Sequence, residues 1–319
     1  MKLHTLILAL AATLAVLLTA CGDDDDGGGD ATSSPTAAQS VTASPEPAAF
    51  PLTITDDAGV EVTIDEQPDA IVALAPSFVE VLFAIGAGDT IVAADQNTDY
   101  PPEAEAIPKV DSLQVSIEDL ASYEPDLAML FFDPGGLQDA LTDLDIPTVL
   151  LATPTTVDGV YDQIETIGEI AGHPEEAADV VTQMQDDIQS AVSGGSAQGI
   201  SIFHELDPAL FTVGPGSFPH EVYELLGVTN IAESTGEAYP QMSNEAVIAA
   251  APDVIILTDA DFGESAESVA TRPGWDTIPA VVDARIYPQP GGLLTHASPR
   301  LVEDIETLAG ILYARDDDS

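Results

Sequence analysis

Basic side chains are nearly missing from this chain: 6 Lys and Arg face 56 Asp and Glu, a formal net charge of −50. Phosphate neutralisation needs clustered Lys and Arg, so a nucleic-acid partner is excluded. Cysteine occurs once, at Cys21. No internal disulfide can form, and no thiolate zinc or iron–sulfur site can be assembled. Aromatic residues make up 5% of the chain, with a single Trp. No Gly-x-Ser-x-Gly elbow, P-loop or HExxH spacing occurs, and carboxylates carry little information in so acidic a chain. Nothing positive supports catalysis, and the chain reads as a non-enzyme needing no cofactor of its own. So many uncompensated carboxylates repel one another at neutral pH and low salt. A salt-rich or acidic habitat, where ions screen the charges or protons neutralise them, is the environment this composition suits.

What is present begins with a leader. Lys2 precedes the apolar run Leu6–Leu18, which is the length of a signal-peptide core and too short to span a bilayer comfortably. Leu18, Thr19 and Ala20 lead into Cys21, a pattern that resembles a bacterial lipobox, with 1–20 as signal peptide and Cys21 as the lipidated residue. Residues 21–50 then carry an Asp run, a Gly run and a Ser/Thr/Pro/Ala stretch with no aromatic residue before Phe50. Such a segment buries too little apolar surface to order itself and reads as a tether. An exported, membrane-anchored monomer is expected.

The remaining 265 or so residues alternate short apolar strands with amphipathic helices, the pattern of α/β lobes with mainly parallel sheets. Leu52–Thr55 and Val60–Ile64 alternate at period two as an opening hairpin. Strands are expected at Ala70–Leu74, Ile91–Ala93, Leu127–Phe132, Thr148–Leu151, Ile200–Leu206 and Val254–Leu257. Helices are expected at Ser77–Ile85, Ile117–Tyr123, Leu137–Leu144, Phe218–Leu226, Glu245–Ala250 and Leu301–Tyr313. Between the halves, Val157–Ile170 and Pro174–Val192 are helical with no strand between them; the second is one more packing helix or a spine connecting two lobes. The boundaries follow: 51–155 first lobe, 156–194 helical linker, 195–315 second lobe.

An internal repeat supports two lobes. Ser116, Glu118, Pro125 and Asp126 recur as Ser243, Glu245, Pro252 and Asp253, all at one offset and each followed by an apolar strand. Ser77, Phe78, Glu80, Val81 and Gly86 are echoed by Ser217, Phe218, Glu221, Val222 and Gly227 with one residue inserted.

From Phe50 to Tyr313 the chain resembles the cobalamin/ferric-siderophore class of ABC-importer substrate-binding proteins. The stretches that carry the resemblance include Leu52–Gly59, Leu74–Ser77, Asp99–Pro102, Leu210–Ser217, Gly227–Ile231, Arg272–Trp275 and Ser298–Arg300. The resemblance implies two Rossmann-like lobes joined by a single long helix, a ligand in the cleft between them, and partnership with a permease and its ATPase. The expected ligand is an iron–siderophore complex or cobalamin; haem import, or sensing or adhesion without transport, are the alternatives. Departures bear on the ligand: His296 replaces an arginine, Leu113 stands where a large ring is common, and Tyr239 fills one aromatic position.

Glu118 and Glu245 each follow a serine by two residues and fall in a first helical turn. Acids are favoured there by the helix dipole alone; the resemblance implies that these two grip permease arginines. Cleft candidates, placed where loops leave the C-terminal ends of strands, are Pro76, Ser77, Tyr100, Phe131, Phe132, His204, Gly216, Tyr239, His296 and Arg300. The aromatic ones offer flat apolar faces. Arg300 suits a ligand carboxylate or phosphate, or equally a neighbouring Asp. The Gly214-Pro215-Gly216 turn lacks the third glycine of a dinucleotide fingerprint but could still present helix N-terminal amides to an anionic ligand. His204, His220 and His296 could ligate haem iron or another metal, but they lack metal-binding spacing, and no resident metal is expected.

Overall fold

The computed structural model describes residues 50–133, 135–289 and 292–314; the expected leader, Cys21 and tether lie outside the described residues. Leu52–Thr55 (β1) and Glu61–Ile64 (β2) pair antiparallel with Leu52 opposite Ile64. Asp56 closes their turn, accepting from the N–H groups of Ala58 and Val60 at 3.0 and 2.9 Å. Its second oxygen accepts from Gln138 and from the Leu150 N–H, which pins the hairpin to the lobe beneath.

The first lobe runs Ile71–Ala73 (β3), Pro76–Ala84 (α1), Ile91–Asp95 (β4), Lys109–Val110 (β5), Ile117–Ala121 (α2), Leu127–Leu130 (β6), Leu137–Thr142 (α3) and Thr148–Leu150 (β7). Its five strands are all parallel in the order β5-β4-β3-β6-β7. Successive residues of β3 point to opposite faces. Ile71 and Ala73 join the core shared by both lobes, while Val72 joins a second core beneath α2 and α3. Both faces are covered, which is why these strands read as unbroken apolar runs.

Val157–Ala171 (α4) packs on α1, and Pro174–Ser193 (α5) follows after a two-residue break. Gly172 ends α4 at φ +79°, a conformation that strains other residues. At Gly168 an added Cβ would stand 2.3 Å from Cβ of Ala177, so the two helices touch where only a hydrogen fits. The 20 residues of α5 reach about 30 Å, carrying the chain into the second lobe.

That lobe runs Ser201–Glu205 (β8), Phe218–Leu226 (α6), Thr229–Asn230 (β9), Asn244–Ala250 (α7), Val254–Leu257 (β10), Ala266–Ala270 (α8), Pro279–Val282 (α9), Ile286–Pro288 (β11) and Leu301–Tyr313 (α10). Its sheet is again wholly parallel, in the order β11-β10-β8-β9. The fold is α/β with a parallel sheet in each lobe, as the alternation implied. Both sheets send their inner faces into one core with α1, α4, α5, α6 and α10, and Trp275 anchors a third core on the far face of the second sheet. The elements without a counterpart in the sequence reading are β5, β9, β11, α8 and α9, each of two to five residues. That is too short for a 2.0 or 3.6 period to register.

Both echoes have a structural reason. Asp126 accepts from the N–H groups of Asp69 (2.9 Å) and Ala70 (3.1 Å), fixing the chain as it enters β3, the neighbour of β6. Asp253 accepts from the N–H (2.8 Å) and hydroxyl (2.7 Å) of Ser201, the first residue of β8, the neighbour of β10. Glu80 and Glu221 make a reciprocal pair. From α1, Glu80 holds Ser298 and Arg300 just before α10; from α6, Glu221 accepts the N–H of Val157, the first residue of α4, at 3.0 Å.

Candidate functional site

In parallel sheets, ligands meet the crevice beyond the carboxyl ends of the strands, at the point where strand order reverses. Here those ends are the segments after β3 and β6 in one lobe and after β8 and β10 in the other. A cavity of 350 Å³ lies between the segment after β7 of the first lobe and those after β8 and β10 of the second, and no described residue directly following β3 or β6 lines it. The first lobe contributes Thr153, Pro154 and Thr155, which follow β7; the second contributes His204, Leu206, Thr258, Tyr239 and the segment Leu293–Thr295 with Ala297. Two of the expected cleft residues, His204 and Tyr239, line it.

Tyr239 is 58% exposed, which leaves its ring face open to a ligand. His204 is only 1% exposed and is fully committed. The single Thr258 hydroxyl proton goes to the Glu205 carbonyl at 3.0 Å, so His204 Nε2–H donates to Thr258 Oγ1 at 3.1 Å. Nδ1 then accepts from the Tyr223 hydroxyl at 2.7 Å. Burial pushes the imidazole down to about 4, so His204 is neutral and stiffens the wall without a spare lone pair.

Behind this wall, Glu205 is buried and held twice by Arg272, at 2.6 Å through each guanidinium nitrogen. Arg272 also holds Glu264 at 2.8 Å and lies 4.7 Å over the Trp275 ring. Asp259 is fully buried beside them, with neither oxygen hydrogen-bonded by a donor group. Two carboxylates thus share one cation, with a third carboxyl buried beside them. Burial raises Glu205 to about 7 against the pull of Arg272, and burial also raises Asp259.

The other expected residues fall elsewhere. Tyr100 and Arg300 line a separate cavity of 360 Å³ against α1. There the Arg300 guanidinium holds Glu80 at 3.0 Å and lies 4.7 Å over the Tyr100 ring, with Asp99 at 4.0 Å. Its acidic partner is thus chiefly a glutamate 220 residues away. Pro76 and Ser77 are half-buried at the start of α1, whose N-cap is Ala75. Phe131 and Phe132 follow β6 with ring centroids 4.5 Å apart. Gly216, at φ +89°, lies in a turn closed by its own Ser217, whose hydroxyl donates to the Gly214 carbonyl at 2.8 Å. His296 Nδ1 stands 3.2 Å from Thr295 Oγ1, and His220 is buried against Asn230. Leu113 is 62% exposed. What the sequence reading missed are the threonines. Thr153, Thr155 and Thr258 sit just past strand ends, and that position was the signal available.

Glu118 and Glu245 are both exposed in first helical turns. Ser116 caps α2 by accepting from Asp119 N–H, and Ser243 caps α7 by accepting from Ala246 N–H, each at 3.1 Å.

Two parallel-sheet lobes joined by a helical spine, with a cavity between their strand ends, define the two-lobed binding-protein class. A family model described as periplasmic binding protein matches residues 71–291, and the chain belongs to that family. An uncharacterised ABC transporter substrate-binding lipoprotein of Bacillus subtilis is 34% identical over 275 residues, 83% of this chain and 86% of that protein. The crystal structure of the periplasmic vitamin B12 binding protein of Vibrio cholerae matches with a TM-score of 0.63 at 26% identity, over 77% of this chain and 97% of that one. A possible iron-binding protein of Staphylococcus epidermidis reaches 0.71 over 78% of this chain and all of that one; at 24% identity it shares the fold.

Proposed function

We propose that this solute-binding protein is the lipid-anchored extracytoplasmic component of an ABC importer, capturing cobalamin or an iron–siderophore complex between its lobes and delivering it to the permease. The observation that carries the reading is the cavity shared by Thr153–Thr155 of one lobe and Tyr239, Thr258 and Leu293–Thr295 of the other. A ligand seated there touches both lobes at once, which is how a closed, loaded form comes to differ from an empty one. The B12-binding protein of Vibrio cholerae, similar over most of both chains, favours a large metal chelate. Cys21 as the anchor accords with the Bacillus subtilis relative, which is described as a lipoprotein. Glu118 and Glu245, one per lobe and both exposed, are the permease grips.

A thermal-shift panel of cyanocobalamin, ferric siderophores and haemin, run in high salt, tests the cargo. Stabilisation by cobalamin or a siderophore that Tyr239→Ala removes is the expected result. A panel in which no chelate shifts the melt overturns the reading.

A further inference from the structure

Cations are the scarcest resource in this molecule, and the structure shows where they are placed. Four of the 6 Lys and Arg fall among the described residues. Arg272 is held by Glu205 and Glu264, and Arg300 by Glu80. Arg285 donates to the Ile311 carbonyl at 3.0 Å, and Lys109 to the Ala104 carbonyl at 2.8 Å. None of the four lines the interlobe cavity, and neither does any carboxylate. Its one titratable imidazole, His204, is neutral. What remains on the wall is threonine hydroxyls, the phenol of Tyr239, the Phe218 ring at the start of α6, and aliphatic carbon.

A buried anionic group needs a cation or a cluster of donors in return for lost water. This wall offers an anion no cation, and the surrounding charge of −50 repels one as it approaches. Hydroxyls and a ring face suit a different surface, one of amides, hydroxyls and flat apolar groups. Resting on the binding function proposed above, we infer that the cleft selects its metal chelate by charge, accepting uncharged or cationic chelates with an amide- and hydroxyl-rich periphery and refusing those with free carboxylates or a net negative metal centre.

Titration calorimetry on the protein tests this with four probes: cyanocobalamin, neutral overall; ferrioxamine B, a cationic hydroxamate chelate; haemin, with two propionates; and ferric enterobactin, a trianion. The inference expects cyanocobalamin or ferrioxamine B to bind at least about tenfold more tightly than either anionic probe, a gap of about 1.4 kcal/mol. If ferrioxamine B binds, its affinity falls as salt rises, because screening removes the attraction. Thr295→Arg, which places a guanidinium on the wall, should improve ferric enterobactin binding by about tenfold or more. Haemin or ferric enterobactin binding the unaltered protein as tightly as the other two overturns the charge rule and leaves the binding function standing. An unchanged enterobactin affinity in Thr295→Arg also overturns the rule. If none of the four binds, the proposed function falls and the charge rule with it.

Discussion

At the scale of single residues, the most consequential placement is Asp259. It is fully buried beside Glu205, whose carboxylate shares the Arg272 guanidinium with the half-buried Glu264. Burial raises both Asp259 and Glu205, the latter to about 7. The folded chain therefore keeps a proton there through a window, from about pH 4.5 to 7, in which the unfolded chain has lost it. Linkage then requires stability to fall as pH rises through that window. The protein should melt at a higher temperature near pH 5 than near pH 7.5. Asp259→Asn removes one acid while keeping the shape, and its amide can donate to Glu205. The expected outcome is a flatter pH profile with the melting temperature at pH 7.5 raised by about 2–4 °C, the shift about 1 kcal/mol produces in a chain of this size. A variant profile as steep as the parent's would place the retained proton elsewhere.

At the scale of elements, strand starts and helix starts are held by carboxylates that the repeat puts in matching places. The two halves are not equally buried. Asp126 makes its bonds in the open, whereas Asp253 and Ser201 are half-buried. Removing an acceptor is costly where the donors left behind cannot reach water, about 1–3 kcal/mol, and cheap where they can. Asp253→Ala should thus lower the urea-unfolding free energy by about 1–3 kcal/mol, and Asp126→Ala by clearly less. Equal losses would show that burial does not set the difference. Glu80 and Glu221 add a second device. Glu80 fixes the approach to α10, the last helix of the second lobe, and Glu221 the start of α4, the helix that leaves the first. With the core that α4, α5 and α10 share across both lobes, these bonds favour a small rocking of the lobes over a wide hinge. The shared core has to stay closed, because opening it would expose side chains worth about 1.5–3 kcal/mol each.

At the scale of the whole molecule, charge dominates. With 56 acids and few cations, repulsion among surface carboxylates destabilises the compact state at low ionic strength. Raising salt from roughly 0.01 M to 1 M shortens the screening length from about 30 to about 3 Å. The melting temperature at pH 7.5 should therefore climb steadily over that range; a flat or falling curve would sink the idea of a protein adapted to salt. The same acidity leaves Glu118 and Glu245 two among many exposed acids, so only function can single them out. Reversing both to Lys should abolish ligand uptake in cells while calorimetric affinity for the ligand stays unchanged. Lost affinity would instead place them at the ligand.

Much of the architecture was legible because periodicity and punctuation are local. Phe218–Leu226 and Leu301–Tyr313 form helices at the residues where the pattern placed them. The repeat at Glu118 and Glu245 announced two like halves, since a shared local task leaves a shared local spelling. Which side chains reach the cavity was decided only in three dimensions. His204 and Tyr239 line it, whereas Arg300, chosen by its rarity, is claimed by Glu80 from far along the chain. Composition fixes how many cations exist; only packing assigns each one a partner, because the cost of burying an unpaired charge is settled by whatever carboxylate folds up against it.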